Sequence, residues 1–229
     1  MIDAITETED KWIGEIGVAL KEVLCDVNGS INALIPENRK IMFFGDSITE
    51  GIRALNMNAT ADGNSAINAF PFIASQYLWS NNIRVGFGAS GVTKGGSGGI
   101  PKLIYFIDNI TSTRLVDSYN VDIIIINMGT NDVASSSNIF QDEYTIVLNR
   151  LTIKYPGVHI FVVIPFNQIH ALDIRILCKN FEWVHVVETV GWEVTFMDGT
   201  HPDANGAKIA GINLSNAIIS ILGKQYFLK

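Results

Sequence analysis

Ser47 occupies a position in which a nucleophile can be both held and exposed. It follows Gly45 and Asp46, directly after the apolar run 41–44. A buried strand fixes the backbone at such a point, and a glycine-containing turn leaves the hydroxyl accessible. A serine becomes a nucleophile only when a base lies within hydrogen-bond reach and a third group orients that base. Other parts of the chain must therefore supply these partners.

Asp198 and His201 have the right types and spacing to be those partners. They lie three residues apart in the stretch 198–202, which ends at Pro202 and precedes the last helical pattern of the chain. In one short loop the carboxylate can accept from the imidazole Nδ1–H and leave Nε2 as the base. With Ser47 they predict a nucleophile, an orienting acid and a base.

Three groups are candidate donors to the oxyanion that forms when a serine attacks an ester. They are the backbone N–H of Ser47, the backbone N–H of Gly91 and the side-chain amide of Asn131. Glycine lets a backbone approach closely, and an amide donates without adding a charge. Asp46 and Asp132, next to two of these residues, are predicted to be structural hydrogen-bonding groups.

The elements that must bring these residues together alternate between strand and helix after Pro36. Apolar runs predict strands and 3.6-residue periodicity predicts helices: strands over 41–44, 83–85, 121–128, 158–164 and, more weakly, 183–187, and helices over 66–79, 101–110, 138–155 and 204–222. This alternation indicates a parallel sheet between two layers of helices. The turns at 45–47, 88–91 and 129–132 each follow a strand, so they should meet at the carboxyl edge of the sheet.

The stretch 1–39 is predicted to be a helical extension that precedes a domain over 40–229. Apolar residues recur by threes and fours over 11–27, and the stretch 28–30 favours an end to the helix. The helix either packs on the domain or forms a tether or short oligomerisation seam. A homo-oligomer through this helix is thus one alternative for the assembly.

Composition restricts the class of partner. The formal net charge is -7, and Lys and Arg form no basic stripe, which disfavours nucleic-acid binding. No apolar run is long enough to span a bilayer, and the acidic N-terminus lacks the basic region of a signal peptide. We therefore expect a cytoplasmic protein, one released by another route, or a piece of a larger surface or viral assembly. Cys25 and Cys178 are expected to be ordinary thiols.

Four short stretches, in this order, resemble the sequence blocks of the GDSL or SGNH hydrolases. They are Gly-Asp-Ser at 45–47, Gly-x-Ser-Gly at 88–91, Gly-x-Asn-Asp at 129–132 and Asp-x-x-His-Pro at 198–202. The resemblance covers about residues 40–222. It implies an α/β fold, a three-layer flavodoxin-like α/β/α sandwich, and a serine esterase that needs no cofactor or metal and often acts on acetyl esters of carbohydrates. The name-giving residues would be Ser47, Gly91, Asn131 and His201, with Asp198 completing the triad.

The second block departs from the family pattern. Members often carry Asn where this chain has Gly86, and the loop here is longer and glycine-rich through Gly99. Both differences affect the hydrogen bonds around the oxyanion site. Gly86, Gly88 and Gly91 also have the spacing of a dinucleotide fingerprint, but a poor helix former follows instead of the helix that this motif needs.

Other residues have both a functional and a structural interpretation. Ser47 also fits a helix N-cap, with Glu50 completing a capping box. Trp192 would be either a wall of the substrate pocket or part of the core. His170 would either reach the site from a loop or be structural. Asp198 and His201 lack a third ligand at suitable spacing for a metal.

The residues and the resemblance together predict a serine hydrolase that cleaves a short-chain ester, an acetyl ester of a carbohydrate, through an acyl-enzyme on Ser47. A lysophospholipase or thioesterase-type acyl hydrolase is the alternative enzyme, although no long apolar insertion would line a lipid tunnel. A glycan-binding structural module of a larger assembly is the alternative outside enzymes.

Overall fold

One parallel sheet forms the centre of the molecule. The computed structural model describes residues 11–13, 21–32, 39–58, 60–116 and 120–228. The strands are β1 (Lys40–Gly45), β2 (Asn81–Gly86), β3 (Ile123–Asn127), β4 (His159–Val163) and β5 (Val184–Val187). They pair in the order β2-β1-β3-β4-β5, all parallel. This is the order of a flavodoxin-like doubly wound sheet.

Helices cover both faces of this sheet. They are α1 (Ser47–Glu50), α2 (Phe70–Tyr77), α3 (Leu103–Phe106), α4 (Ser137–Lys154), α5 (Ala171–Cys178) and α6 (Ala204–Leu222). One core cluster contains buried side chains of α2 and α6, and the other contains those of α3, α4 and α5. The predicted three-layer α/β/α fold is therefore confirmed.

The two central strands show why their sequences are apolar throughout. Along β3, Ile124 and Ile126 point into one core cluster, whereas Ile123 and Ile125 point into the other. Successive side chains of a strand point to opposite faces, and a sheet covered on both faces needs an apolar residue at every position. The same rule makes β1 a rigid, fully buried support for the turn that follows Gly45.

Several predicted helix boundaries differ from the observed ones. Helix α2 begins at Phe70 rather than Ala66, because a proline is tolerated only in the first turn and Pro71 fixes that turn. Helix α3 covers only part of the predicted 101–110. Helix α5 was not predicted: its N-cap, His170, has a left-handed backbone and makes no side-chain cap, so the sequence carries no start signal.

The N-terminal prediction is wrong over its second half. Residues 14–20 lie outside the described residues, and 21–27 form no helix. In this stretch Leu24 is 84% exposed and Val27 is also exposed, and a short helix that buries no apolar face is marginal. Trp12, by contrast, packs edge-on against Phe87 with ring centroids 5.9 Å apart. Its carbonyl accepts from the N–H of Ser112 at 2.6 Å, so residues 11–13 lie against the domain.

Both cysteines are free thiols, as expected. Cys25 is exposed and Cys178 is buried, and burial raises the pKa of Cys178 to about 12. Within the described ranges, no helix has the length and apolar character needed to cross a membrane.

Candidate active site

Ser47 is the first residue of α1, immediately beyond the end of β1. The N-cap of this helix is Asp46, whose carboxylate accepts the N–H of Ile48 at 2.9 Å. The interpretation of Ser47 itself as the N-cap is therefore wrong. Since Asp46 supplies the cap, the hydroxyl of Ser47 is left for another partner.

That partner is His201. Its Nε2 lies 2.8 Å from Oγ of Ser47, and its Nδ1 lies 2.7 Å from Oδ2 of Asp198. The loop that carries both residues is closed by a bridge between Phe196 and Pro202, just before α6. The three residues thus form the hydrogen-bonded arrangement of a nucleophile, a base and an orienting acid.

The carboxylate of Asp198 has a dense set of donors. Burial by itself would raise its pKa, but the backbone and ring N–H groups of His201, the N–H of Thr200 and the guanidinium of Arg53 outweigh burial and hold the pKa of Asp198 well below its usual range. The group stays ionised at neutral pH. It can therefore stabilise the imidazolium that forms when His201 takes a proton.

Asn131 lies beside Ser47, and its role as an oxyanion donor stays a prediction. Its side-chain amide donates to the carbonyl of Ser90 at 2.9 Å and lies 3.3 Å from Oδ2 of Asp46. It lines the same pocket as Ser47 and His201. These contacts join the turns after β1, β2 and β3, so the three turns meet at the carboxyl edge of the sheet.

Gly91 lies in a tightly tied loop. Its N–H donates to the carbonyl of Lys94 at 2.9 Å. The carboxylate of Asp132 accepts from the backbone N–H groups of Val92 and Thr93 at 2.9 and 2.8 Å, which confirms its structural role. A Cβ at Gly91 would lie only 2.6 Å from this carboxylate, so a glycine is required. The role of Gly91 as an oxyanion donor stays a prediction.

Asp46 is a fully buried carboxyl at the base of the site. The pKa of Asp46 is raised to about 7, mainly by burial; the hydrogen bond from Ile48 acts against this rise, and the nearby negative charges of Asp132 and Glu50 add to it. An acid with a higher pKa in the folded than in the unfolded state binds its proton more tightly when folded. Its ionisation therefore reduces stability as pH rises from about 4 to about 7.

Replacing Asp46 should remove this pH dependence. Asp46→Asn keeps an oxygen for the N–H of Ile48 but carries no charge. We expect its free energy of unfolding to rise relative to the wild type by about 2–3 kcal/mol between pH 5 and pH 8, measured by urea denaturation. Asp142→Asn, at an exposed position of α4, is the matched control. A difference between Asp46→Asn and the wild type that does not vary with pH would contradict the expectation.

Two further depressions lie near the pocket at Ser47. One is lined by Thr130, Phe166, Phe196 and Thr200 and shares Thr200 with the catalytic pocket, and the other is lined by Phe166, Phe196 and Trp192. We call these two neighbouring depressions the aromatic groove. The ring centroid of Phe166 lies 6.3 Å from that of Trp192 and 6.2 Å from that of Phe196. Trp192 is half-buried against the core cluster that contains α2 and α6 and also lines this groove, whereas the described lining of the catalytic pocket does not include it.

His170 is not brought into the site. Its Nδ1 lies 2.6 Å from Oδ2 of Asp173, and its Nε2 lies 3.0 Å from the carbonyl of Asp132. The ring also stacks on Phe140 with centroids 3.9 Å apart. Among the described residues that line the catalytic pocket, His170 does not occur.

Three residues near the site were missed at the sequence level. Lys11 and Glu50 form an ion pair in the wall of the catalytic pocket, and Arg53 binds Asp198. Glu50 had been considered only as part of a capping box. No motif links Arg53 or Lys11 to the triad, because both act across long separations in sequence.

Comparisons with known proteins identify the family and the fold of this chain. The profile of the GDSL-like lipase/acylhydrolase family matches residues 41–183, which include the first three motifs and end before Asp198 and His201. A search of curated proteins finds no match.

Solved structures share the fold. A family two carbohydrate esterase from Clostridium thermocellum, in complex with cellohexaose, is 20% identical over 85% of this chain and 67% of that chain, with a TM-score of 0.74. An acetyl xylan esterase from the rumen bacterium Butyrivibrio proteoclasticus is 18% identical over 85% of this chain and 66% of that one, with a TM-score of 0.69. A carbohydrate acetylesterase family member from Sinorhizobium meliloti is 17% identical over 81% of this chain and 99% of that one, with a TM-score of 0.62.

The family profile covers well over half of the chain, and the structural neighbours have the same sheet and helix layers. The chain belongs to the GDSL-like lipase/acylhydrolase family and is a carboxylic ester hydrolase.

Proposed function

We propose that this protein removes short acyl groups, acetyl above all, from carbohydrate esters through an acyl-enzyme on Ser47. The observation that carries the proposal is the hydrogen-bonded chain from Ser47 through His201 to Asp198. It lies at the edge of the sheet where ligands of such folds bind.

The chemistry follows from these contacts. Oγ of Ser47 attacks the ester carbonyl while Nε2 of His201, 2.8 Å away, takes its proton. The same proton then goes to the leaving alcohol. Water, deprotonated in turn by His201, attacks the acyl-enzyme; the bond from the acyl carbon to Oγ breaks, and the proton on His201 returns to Oγ of Ser47 as the acid leaves. Asp198 keeps Nδ1–H oriented through both halves.

The oxyanion would be held by donors around Ser47. The backbone N–H of Ser47 belongs to the first turn of α1, where the helix itself supplies no acceptor. Asn131 lies next to it. One of the two amide N–H groups that now donate to Ser90 and Asp46 would also donate to the oxyanion. Gly91 is the third proposed donor, and its N–H, which here donates to the carbonyl of Lys94, would have to exchange that bond for one to the oxyanion.

The aromatic groove supports a carbohydrate as the alcohol part of the substrate. Small-molecule sites are commonly lined by apolar and aromatic surface with a few polar groups, and the C–H faces of sugar rings match flat aromatic side chains. One depression of the groove shares Thr200 with the catalytic pocket, and the other is lined by Trp192. Two proteins of the same fold are a carbohydrate esterase in complex with cellohexaose and an acetyl xylan esterase.

Two substrate series test the proposal. With p-nitrophenyl esters of increasing acyl length, we expect kcat/KM to be highest at two to four carbons. With acetylated xylan and acetylated cello-oligosaccharides, we expect release of acetate. These glycans should also compete with p-nitrophenyl acetate for the site. A maximum at long acyl chains would favour a lysophospholipase-type enzyme instead.

A matched variant separates sugar binding from acyl transfer. Trp192→Ala should raise KM for the acetylated glycan roughly 10-fold, as for the loss of about 1.4 kcal/mol of binding, and leave kcat/KM for p-nitrophenyl acetate unchanged. Equal effects on both substrates would contradict a role of Trp192 in sugar binding.

A further inference from the structure

We propose that Arg53 is a positioning residue of the triad that acts through Asp198, an inference that rests on the proposed serine mechanism. Nη1 of Arg53 lies 2.9 Å from Oδ2 of Asp198, and the same oxygen lies 2.7 Å from Nδ1 of His201. One carboxylate oxygen therefore serves both a permanent cation and the catalytic imidazole.

The carboxylate is held in a single orientation by this arrangement. Oδ1 of Asp198 accepts the N–H groups of Thr200 and His201 at 3.0 and 2.8 Å, while Oδ2 accepts from Arg53 and the imidazole. A carboxylate offers about four acceptor sites, and donors occupy both oxygens. Rotation of the group would break several charge-assisted bonds at once, so Oδ2 stays directed at the imidazole.

The backbone at Arg53 has an unusual conformation that neighbouring contacts hold in place. Arg53 has φ 53°, the left-handed region that non-glycine residues rarely adopt. Its N–H donates to Oδ1 of Asn64 at 2.9 Å, and the carbonyl of Gly51 accepts from Ser65 at 2.9 Å. A residue keeps such a conformation where neighbouring contacts impose it. Residues of this kind often lie at functional sites.

Arg53 acts on the triad without touching the substrate. Among the described residues, those lining the catalytic pocket do not include Arg53, and its side chain is 28% exposed. Its described contact with the triad is the ion pair with Asp198. A substitution of Arg53 removes this ion pair and shows its effect on the triad.

The charge of Arg53 has a predictable effect on the base. Asp198 favours the protonated imidazole of His201, and a cation on the same carboxylate oxygen offsets part of that effect. Other charged groups close to the site have their own partners: Lys11 pairs with Glu50, Asp46 binds Ile48 and Asp203 caps α6. Loss of Arg53 should therefore make His201 hold a proton up to a higher pH.

The experiment compares Arg53→Met with the wild type in two measurements. One is the pH profile of kcat/KM for p-nitrophenyl acetate. The other is the NMR titration of the His201 ring, assigned with His201→Asn, which requires no activity. We expect the acid limb and the titration midpoint to rise by about 0.5–1 pH unit, the size expected for a partly screened neighbouring charge. Arg53→Lys should show little of this shift, because lysine keeps the positive charge.

A matched control is Arg175→Met, which removes an arginine of α5 from an exposed ion pair with Glu188, the residue after β5, and should change neither measurement. If Arg53→Met is not folded, as judged by circular dichroism, Arg53→Gln takes its place. A folded variant with an unmoved midpoint overturns the inference. If the wild type hydrolyses no ester, the proposed function fails, and the titration still decides whether Arg53 acts on His201.

Discussion

Ser47→Ala is expected to lower kcat for ester hydrolysis by about 10⁵- to 10⁶-fold, the size seen when a triad serine is removed. The Ala variant lacks the atom that forms the acyl-enzyme, whereas the fold loses only one hydrogen bond, to His201. The thermal unfolding midpoint should therefore change little. The measurement is steady-state hydrolysis of p-nitrophenyl acetate, with stopped-flow detection of the acyl-enzyme burst in the wild type.

Ser97→Ala is the matched control, because Ser97 lines the same pocket but has no base beside it in the described structure. Its kcat should stay within a few-fold of the wild type. A fluorophosphonate should label the wild type and Ser97→Ala but not Ser47→Ala. Retained turnover in Ser47→Ala would contradict the mechanism. Absence of labelling in an inactive wild type would favour a glycan-binding module.

Asp198→Asn is expected to lower kcat/KM by about 10³- to 10⁴-fold. Both oxygens of the Asp198 carboxylate act as hydrogen-bond acceptors. Oδ1 accepts from the N–H groups of Thr200 and His201, and Oδ2 accepts from the Arg53 guanidinium and the imidazole Nδ1–H. An asparagine NH₂ at either position faces a donor. It would either lose the loop contacts or force His201 into the tautomer that cannot accept from Ser47.

The control for this change is Asp203→Asn, five residues along the same segment. Asp203 caps α6 by accepting the N–H of Gly206 at 2.7 Å, and asparagine is an equally good N-cap. Its activity should match the wild type, measured with p-nitrophenyl acetate after correction for folded protein. If Asp198→Asn also keeps its activity, Asp198 does not orient the base.

The sheet and the triad were predictable because their signals are local. The isoleucine run of β3 indicates a strand buried on both faces, and the first three site motifs each follow a strand closely. Asp198 and His201 lie in one short loop, so their contact follows from spacing alone. Parallel topology then places the turn of Ser47 at the same edge.

The features that escaped prediction depend on distant or conformational contacts. The ion pair of Arg53 spans 145 positions and requires a left-handed backbone that nothing in its residue type signals. Helix α5 starts at Ala171, and its N-cap residue, His170, makes no side-chain cap. The periodic stretch 21–27 forms no helix, and Leu24 within it is exposed rather than packed against the domain. Periodicity shows where an apolar face could form, but burial decides whether it does.

The placement of the nucleophile and the base also couples catalysis to folding. Ser47 lies at the end of the first strand, and His201, 154 positions later, precedes the last helix, α6. Contact between them requires a long loop to close. A chain in which α6 is not docked would hold the serine without its base. Esterase activity would therefore report that the last helix of the chain is in place.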